Sequence, residues 1–235
     1  FFLLYKKFCP GPLTFVLKLK NKTKISKFVT NNKKTLAIRF PKHRLVRKVI
    51  RSLNYPIAAP SANISTKLSS VKASDVKEEF GNKVKFVLDG GTCKVGIEST
   101  IINLTGRPEI LRLGGLENSK IKKILKKPLR ININPSKKNI PGQSKLHYSP
   151  GIPLRMNAHK PRKGEAYVAL KKINIKHKDF FYLSKKGNLN EVAKNLYGIL
   201  RKIKKNGYKS VAVEKINNYG LGQSINDRLI RASKK

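Results

Sequence analysis

Acidic side chains are the scarcest feature of this chain. Its 235 residues hold 12 Asp+Glu against 53 Lys+Arg, and no acid precedes Asp75. Residues 1–74 carry 17 Lys+Arg. A surface without acidic neighbours holds a positive potential and attracts phosphates, so a nucleotide, an RNA or both are admissible partners. The other reading of the +41 charge is compositional: 41 of the cations are Lys and 12 are Arg. A dedicated base reader favours the planar fork of Arg, and lysines outside motifs are expected to be mostly solvated. Long apolar runs are missing too. None exceeds five residues, as in Phe1-Phe2-Leu3-Leu4-Tyr5, far short of the ~20 a bilayer span needs, which excludes a membrane helix. The two cysteines, Cys9 and Cys93, have no metal-type spacing. A disulfide framework and a structural zinc site are therefore not expected, and a reducing cytoplasm is. No basic region followed by an apolar stretch and a small-residue cleavage site opens the chain. It begins with Phe, already in apolar material, as expected of a chain that has been cut into.

What is present reads as alternating α and β structure. Phe1, Leu4, Tyr5 and Phe8 share a helical face, and Pro10-Gly11-Pro12 ends it. Residues 13–20 alternate as a strand, and a second strand runs over 35–40. In that second strand Leu36, Ile38 and Phe40 form one face. Thr35, Ala37 and Arg39 form the other, either an open cationic floor or an ordinary solvent edge. A helix over 43–54 is expected to bury Leu45, Val46, Val49, Ile50 and Leu53. Tyr55–Ser65 reads as a short strand flowing into a hydroxyl-rich loop, a phosphate cradle or a turn with a helix cap. Asp75 and Glu78 suggest a capping box, and 84–88 reads as a strand. The glycine loop Asp89–Gly96 matches neither GxGxxG nor GxxxxGK[ST]. Strands follow at 101–104 and 110–112, then a helix capped by Asn118. Residues 128–153 contain five prolines and read as a linker. After it come strands at 165–170, 179–184 and 210–214, a helix capped by Asn190 and a terminal helix after Gly220. That order implies parallel pairing.

Taken in order, the motifs resemble the YrdC-like threonylcarbamoyl-adenylate synthases. They are Phe8-Cys-Pro-Gly-Pro-Leu-Thr14, Arg39-Phe-Pro-Lys-His43, Pro56-Ile-Ala-Ala-Pro-Ser-Ala-Asn-Ile-Ser65, Leu88-Asp-Gly-Gly91, Gly96-Ile-Glu-Ser-Thr100 and Ile110-Leu-Arg112. His147-Tyr148-Ser-Pro150 and the α/β restart after it look like the longer, two-domain form. The resemblance implies an α/β fold: a twisted mixed-sheet domain over 1–127, a linker or lid over 128–153, and a small Rossmann-like domain over 154–235. The family's catalytic domain opens with a strand bearing a threonine contact and a Lys-x-Arg motif. Neither precedes Phe1. The resemblance therefore implies an N-terminally truncated catalytic domain, and this chain is expected to be impaired.

The implied function is synthesis of threonylcarbamoyl-AMP from L-threonine, bicarbonate and ATP, with Mg2+ and release of pyrophosphate. A downstream transferase complex then modifies the adenosine beside the anticodon of tRNA. Position by position, the resemblance implies ATP contacts at Thr35, Ser61, Asn63, Ser69, Arg112 and Tyr148, and L-threonine contacts at Arg39, Ala59 and Ser99. Tyr148 would fold over the nucleotide or sit in a simple tether. Glu98 would organise Mg2+ or serve as a turn carboxylate, and His43 reads as a helix-start residue. No catalytic acid or base is implied. One alternative is a non-catalytic basic RNA-binding protein derived from this family. Another is a relative making carbamoyl adenylates, against which the tyrosine linker and second domain argue.

Overall fold

Alternation of polar and apolar side chains builds the first strand pair. Strand β1 (Leu13–Lys18) and strand β2 (Thr35–Arg39) lie antiparallel, with Thr14 opposite Arg39 and Lys18 opposite Thr35. The structure, a computed structural model, describes residues 1–133, 142, 146–172 and 177–234. The chain divides into two units, Phe1–Pro60 with Glu98–Ile140, and Ser61–Ile97 with Pro141–Lys235. Residues 61–97 thus group with the C-terminal part, although the sequence reading runs one domain from 1 to 127. Linker residues 134–141 and 143–145 lie outside the described residues.

The first unit is a five-stranded mixed sheet in the order β2-β1-β3-β4-β5. Strand β3 (Thr100–Asn103) runs parallel to β1, β4 (Glu109–Arg112) antiparallel to β3, and β5 (Arg130–Ile131) parallel to β4. The sequence reading placed β5 in the linker, because two residues carry no periodicity. Leu13, Phe15, Ile102 and Ile110 are wholly buried on one face, with Leu4 of α1 (Phe2–Phe8) and Ile121 of α5 (Asn118–Leu125). Each such side chain contributes about 1.5–3 kcal/mol of transfer free energy.

Three expectations fail here or in the second unit. Helix α3 (Arg44–Arg51) forms, but none of its residues is buried. Val46 is 41% and Val49 39% exposed, while Leu45, Ile50 and Leu53 are half-buried. An apolar stripe is buried only where another apolar surface meets it, and the core of this unit is assembled without α3. Residues 55–60 form no strand, and neither do 84–88, where Phe86 is 90% exposed. A strand needs a ladder partner, and neither segment has one among the described residues.

The second unit holds a four-stranded parallel sheet in the order β6-β9-β7-β8. Its strands are β6 (Leu154–Arg155), β7 (Ala166–Lys171), β8 (Phe180–Ser184) and β9 (Val211–Val213). Helices α6 (Leu189–Lys205) and α7 (Leu221–Ala232) join Ala166, Val168, Leu183 and Val211 in its main core. Asn188, two residues before the expected cap, accepts from the N–H groups of Asn190 and Glu191 at 2.9 and 3.3 Å. Helix α4 (Ala73–Phe80) starts ahead of Asp75, whose carboxylate reaches back to the N–H groups of Val71 and Lys72 at 2.8 and 3.2 Å. A short helix α2 (Lys27–Thr30), capped by Ser26, interrupts the β1–β2 connection of the first unit.

Leu68, Val71 and Ile97 belong to the core of the second unit, which explains the grouping of 61–97. Arg201 of α6 reinforces it. Its Nη2 donates to Leu68 O at 2.6 Å and to Glu79 Oε2 at 2.8 Å.

Candidate active site

In the first unit, strand alternation that buries Leu13 and Phe15 turns Thr14 to the opposite face of the sheet. Thr14 sits between Arg39 on β2 and Ile101 on β3. Between β3 and β4 the register slips, so that Ile101 pairs with Arg112 and Ile102 with Ile110. The extra residue, Leu111, is a bulge of the kind that re-aims a side chain. It places Arg112 on the same face as Ile101.

Thr14 and Arg112 converge on Ser99, which is 4% exposed. Thr14 Oγ1 and Ser99 Oγ are 2.7 Å apart. The Arg112 guanidinium donates from Nε and Nη2 to Ser99 O at 3.1 and 2.9 Å, and from Nη2 to Ser99 Oγ at 3.1 Å. Arg112 itself is 9% exposed. Its charge thus stands beside a hydroxyl in a largely water-excluded position, where electrostatic interactions are stronger than in bulk water. Arg39 is exposed, and its Nε donates to Gly11 O at 3.3 Å.

Gly114 makes this packing feasible: a Cβ there would stand 2.3 Å from Ser99 C and Thr100 N, and 2.5 Å from Glu98 O. Thr35 is half-buried on the Arg39 side of β2, and Ala59 is exposed in irregular chain. Thr35, Ala37 and Arg39 share one face of β2, as the alternation predicts. It extends across β1 to Thr14, Ser99 and Arg112.

In the second unit, Ser61 is exposed and Ser69 half-buried. Asn63 closes the loop between them, donating from Nδ2 to Ile64 O at 2.8 Å and Lys67 O at 3.3 Å. The Ile64 N–H donates to Glu79 Oε1 at 2.7 Å, so that backbone donor serves the loop's own fold. Asn63 Oδ1 is buried and lacks a hydrogen-bond partner among the described residues.

Tyr148 is 1% exposed, although the sequence reading left few buried positions in 128–153. Its ring stacks on Tyr197 with centroids 5.7 Å apart, and the Arg228 guanidinium carbon lies 5.3 Å from its centroid. The glycine loop behaves as a turn: Asp89 accepts from the Gly91 N–H at 2.7 Å. Gly96, at φ +80, meets the α6 backbone so closely that a Cβ would lie 2.4 Å from Ala193 O.

Sequence reasoning named Arg39, Ser99 and Arg112 but not Thr14, although the alternation of β1 points Thr14 to their face. Among the described residues, no group of three His, Cys, Asp or Glu side chains is arranged to hold a metal ion. No helix among them is long and apolar enough to cross a membrane.

Two family descriptions together match nearly the whole chain. Residues 1–114 match the Sua5/YciO/YrdC family, described as "Telomere recombination". Residues 116–234 match "Threonylcarbamoyl-AMP synthase, C-terminal domain". A threonylcarbamoyl-AMP synthase of Pyrococcus abyssi is 34% identical over 252 residues, covering 98% of this chain and 73% of the relative. One from Bacillus subtilis is 31% identical over 250 residues, covering 98% and 72%. The crystal structure of P. abyssi Sua5 complexed with L-threonine superposes with a TM-score of 0.85 at 32% identity, covering 98% of this chain and 73% of that one.

Proposed function

The chain belongs to the Sua5/YciO/YrdC family of threonylcarbamoyl-AMP synthases, and from that membership we propose that it joins L-threonine, bicarbonate and ATP into threonylcarbamoyl-AMP. The observation that carries the reading is the single sheet face on which Arg39, Thr14, Ser99 and Arg112 stand together. It is a face of hydroxyls and guanidinium groups without a strong base, and the reaction asks for that. Threonine's amine and bicarbonate form a carbamate with loss of water. A carbamate oxygen then attacks the α-phosphorus, forming the new O–P bond. The bond to the β-phosphate oxygen breaks, and pyrophosphate leaves with the electron pair. Because the carbamate decarboxylates readily, the site must hold it close to the nucleotide and keep water out. It must also spread the triphosphate's charge over positioned donors.

In this reading Arg39 grips the threonine carboxylate with its guanidinium fork, and Ala59 and Ser99 complete that pocket. Arg112, Thr35, Ser61, Asn63, Ser69 and Tyr148 serve the nucleotide. The buried Oδ1 of Asn63 needs a donor, and a ribose hydroxyl or the adenine amino group supplies one. Mg2+ carried with the triphosphate would need only one or two protein carboxylates. Glu98, half-buried beside Ser99 in sequence, is the residue that would help hold it. The product is a reactive mixed anhydride, so a transferase complex consumes it by passing the threonylcarbamoyl group to the adenosine beside the anticodon of tRNA. We place this chemistry in the cytoplasm. The lysine-rich surface adds sequence-independent attraction for duplex RNA.

The test is pyrophosphate release from ATP by the full-length protein, with threonine and bicarbonate omitted in turn. Release that requires both is the expected result. Release indifferent to threonine, or no release at all, sinks the proposal.

A further inference from the structure

We propose that Thr14 is a positioning residue for the amino-acid substrate, holding the Ser99 hydroxyl as a donor aimed at the substrate carboxylate. This rests on the reading that Ser99 lines the threonine pocket.

A buried hydroxyl is unfavourable unless hydrogen-bonded, and on a pleated strand Val fills the same space without one. Thr14 is 9% exposed on a face where its neighbours in β1 alternate into the core. Its hydroxyl meets Ser99 Oγ at 2.7 Å across 85 residues of sequence. A serine hydroxyl has one proton and two acceptor lone pairs. Arg112 only donates, and its Nη2 at 3.1 Å takes one lone pair of Ser99 Oγ.

The short contact to Thr14 then has two states. If Ser99 donates to Thr14, its only proton is spent inside the protein. If Thr14 donates to Ser99, both lone pairs are filled and the Ser99 proton is left to point outward. A carboxylate only accepts, so its binding selects the second state. Thr14 also pairs across β1–β2 with Arg39, and cross-strand neighbours lie about 4.5–5.5 Å apart. A carboxylate gripped by Arg39 is therefore within reach of the serine that Thr14 orients.

The experiment titrates threonine into the chain by calorimetry, alongside L-threoninol, which has the amine and side chain but no carboxylate. Thr14→Val keeps the shape and removes the hydroxyl. Its threonine affinity is expected to fall about tenfold while threoninol and ATP change little, so the preference for the carboxylate shrinks. Thr14→Ser is expected to restore that preference, and Thr14→Ala carries the same readout as T14V should T14V not fold. Threonine affinity within twofold of the parent, or equal losses for threonine and threoninol, overturns the proposal. Ser99→Ala separates the two readings. If S99A binds threonine as the parent does, the pocket reading falls and the proposal with it. If S99A is weakened and T14V is not, the role of Thr14 alone is refuted.

Discussion

Gly114→Ala puts one methyl group into a close backbone approach beside Ser99 in the candidate site. The φ of Gly114 lies outside the left-handed region that favours glycine, so the substitution tests space and not backbone conformation. The new Cβ would begin 2.3 Å from Ser99 C and Thr100 N, whereas ordinary contact starts at 3.4 Å. The obstructing atoms are backbone, so no rotamer relieves the clash. The start of β3 and the chain at 114 must separate by about 1.1 Å, the difference between those two distances. A shift of that size stretches the Thr14–Ser99 contact from 2.7 Å beyond hydrogen-bond range, and loosens the Arg112 clamp with it. Overpacking of this kind costs about 1–3 kcal/mol. For a unit of roughly a hundred residues that lowers the thermal midpoint by about 4–8 °C per kcal/mol. A misplacement near 1 Å weakens a positioned site by up to about 10²-fold. Thermal unfolding and threonine calorimetry read both effects. A G114A chain with an unchanged midpoint and threonine affinity within twofold of the parent would falsify the claim that the backbone at Ser99 is fixed by contact with Gly114.

Two further outcomes follow from the second unit. Arg201→Met removes both hydrogen bonds of Nη2, at 2.6 and 2.8 Å, and leaves Glu79, whose side chain is 5% exposed, with the Ile64 N–H as its one remaining donor among the described residues. Discounted for the partial exposure of Arg201, urea unfolding should show a loss of about 2–3 kcal/mol. A loss under about 0.5 kcal/mol, the level of an exposed pair, refutes the structural role of that ion pair. Glu165 gives a pH test. Burial pushes its carboxyl up, but the Arg155 hydrogen bond, the Arg162 N–H and both positive charges outweigh this and hold it below the usual carboxylate range. Because the folded value lies below the unfolded one, the stabilisation is complete above about pH 4.3 and is lost as pH falls through the folded value. Glu165→Gln should therefore lower the urea midpoint at neutral pH, and the gap to the parent should close in acid. A gap that stays constant with pH contradicts the assignment.

The readings that held are those that depend on near neighbours in the chain. Period-two alternation predicted β1 and β2, and with them the face carrying Thr35, Ala37 and Arg39. The apolar stripe of α6 and the parallel order of the second unit follow from the same local patterns. Ordered motifs carried the family, because tight turns and specific contacts demand particular residues at particular spacings.

What failed needed knowledge of a distant partner. The stripe of α3 is amphipathic in sequence, yet whether it is buried depends on what packs against it. Residues 84–88 read as a strand, but a strand is completed by a neighbour's hydrogen bonds. Tyr148 sits in proline-rich sequence and is buried against Tyr197, because stacking is decided by packing and not by local composition.

The candidate site shows the same division. The chain's own order of residues settled which side chains are present and which face of each strand they occupy. Folding settled that Thr14 meets Ser99, and that the bulge at Leu111 turns Arg112 onto the same serine. Side-chain period is a property of a strand alone. Strand order, register and the slip at a bulge are properties of pairs of strands, and sequence periodicity carries no record of them.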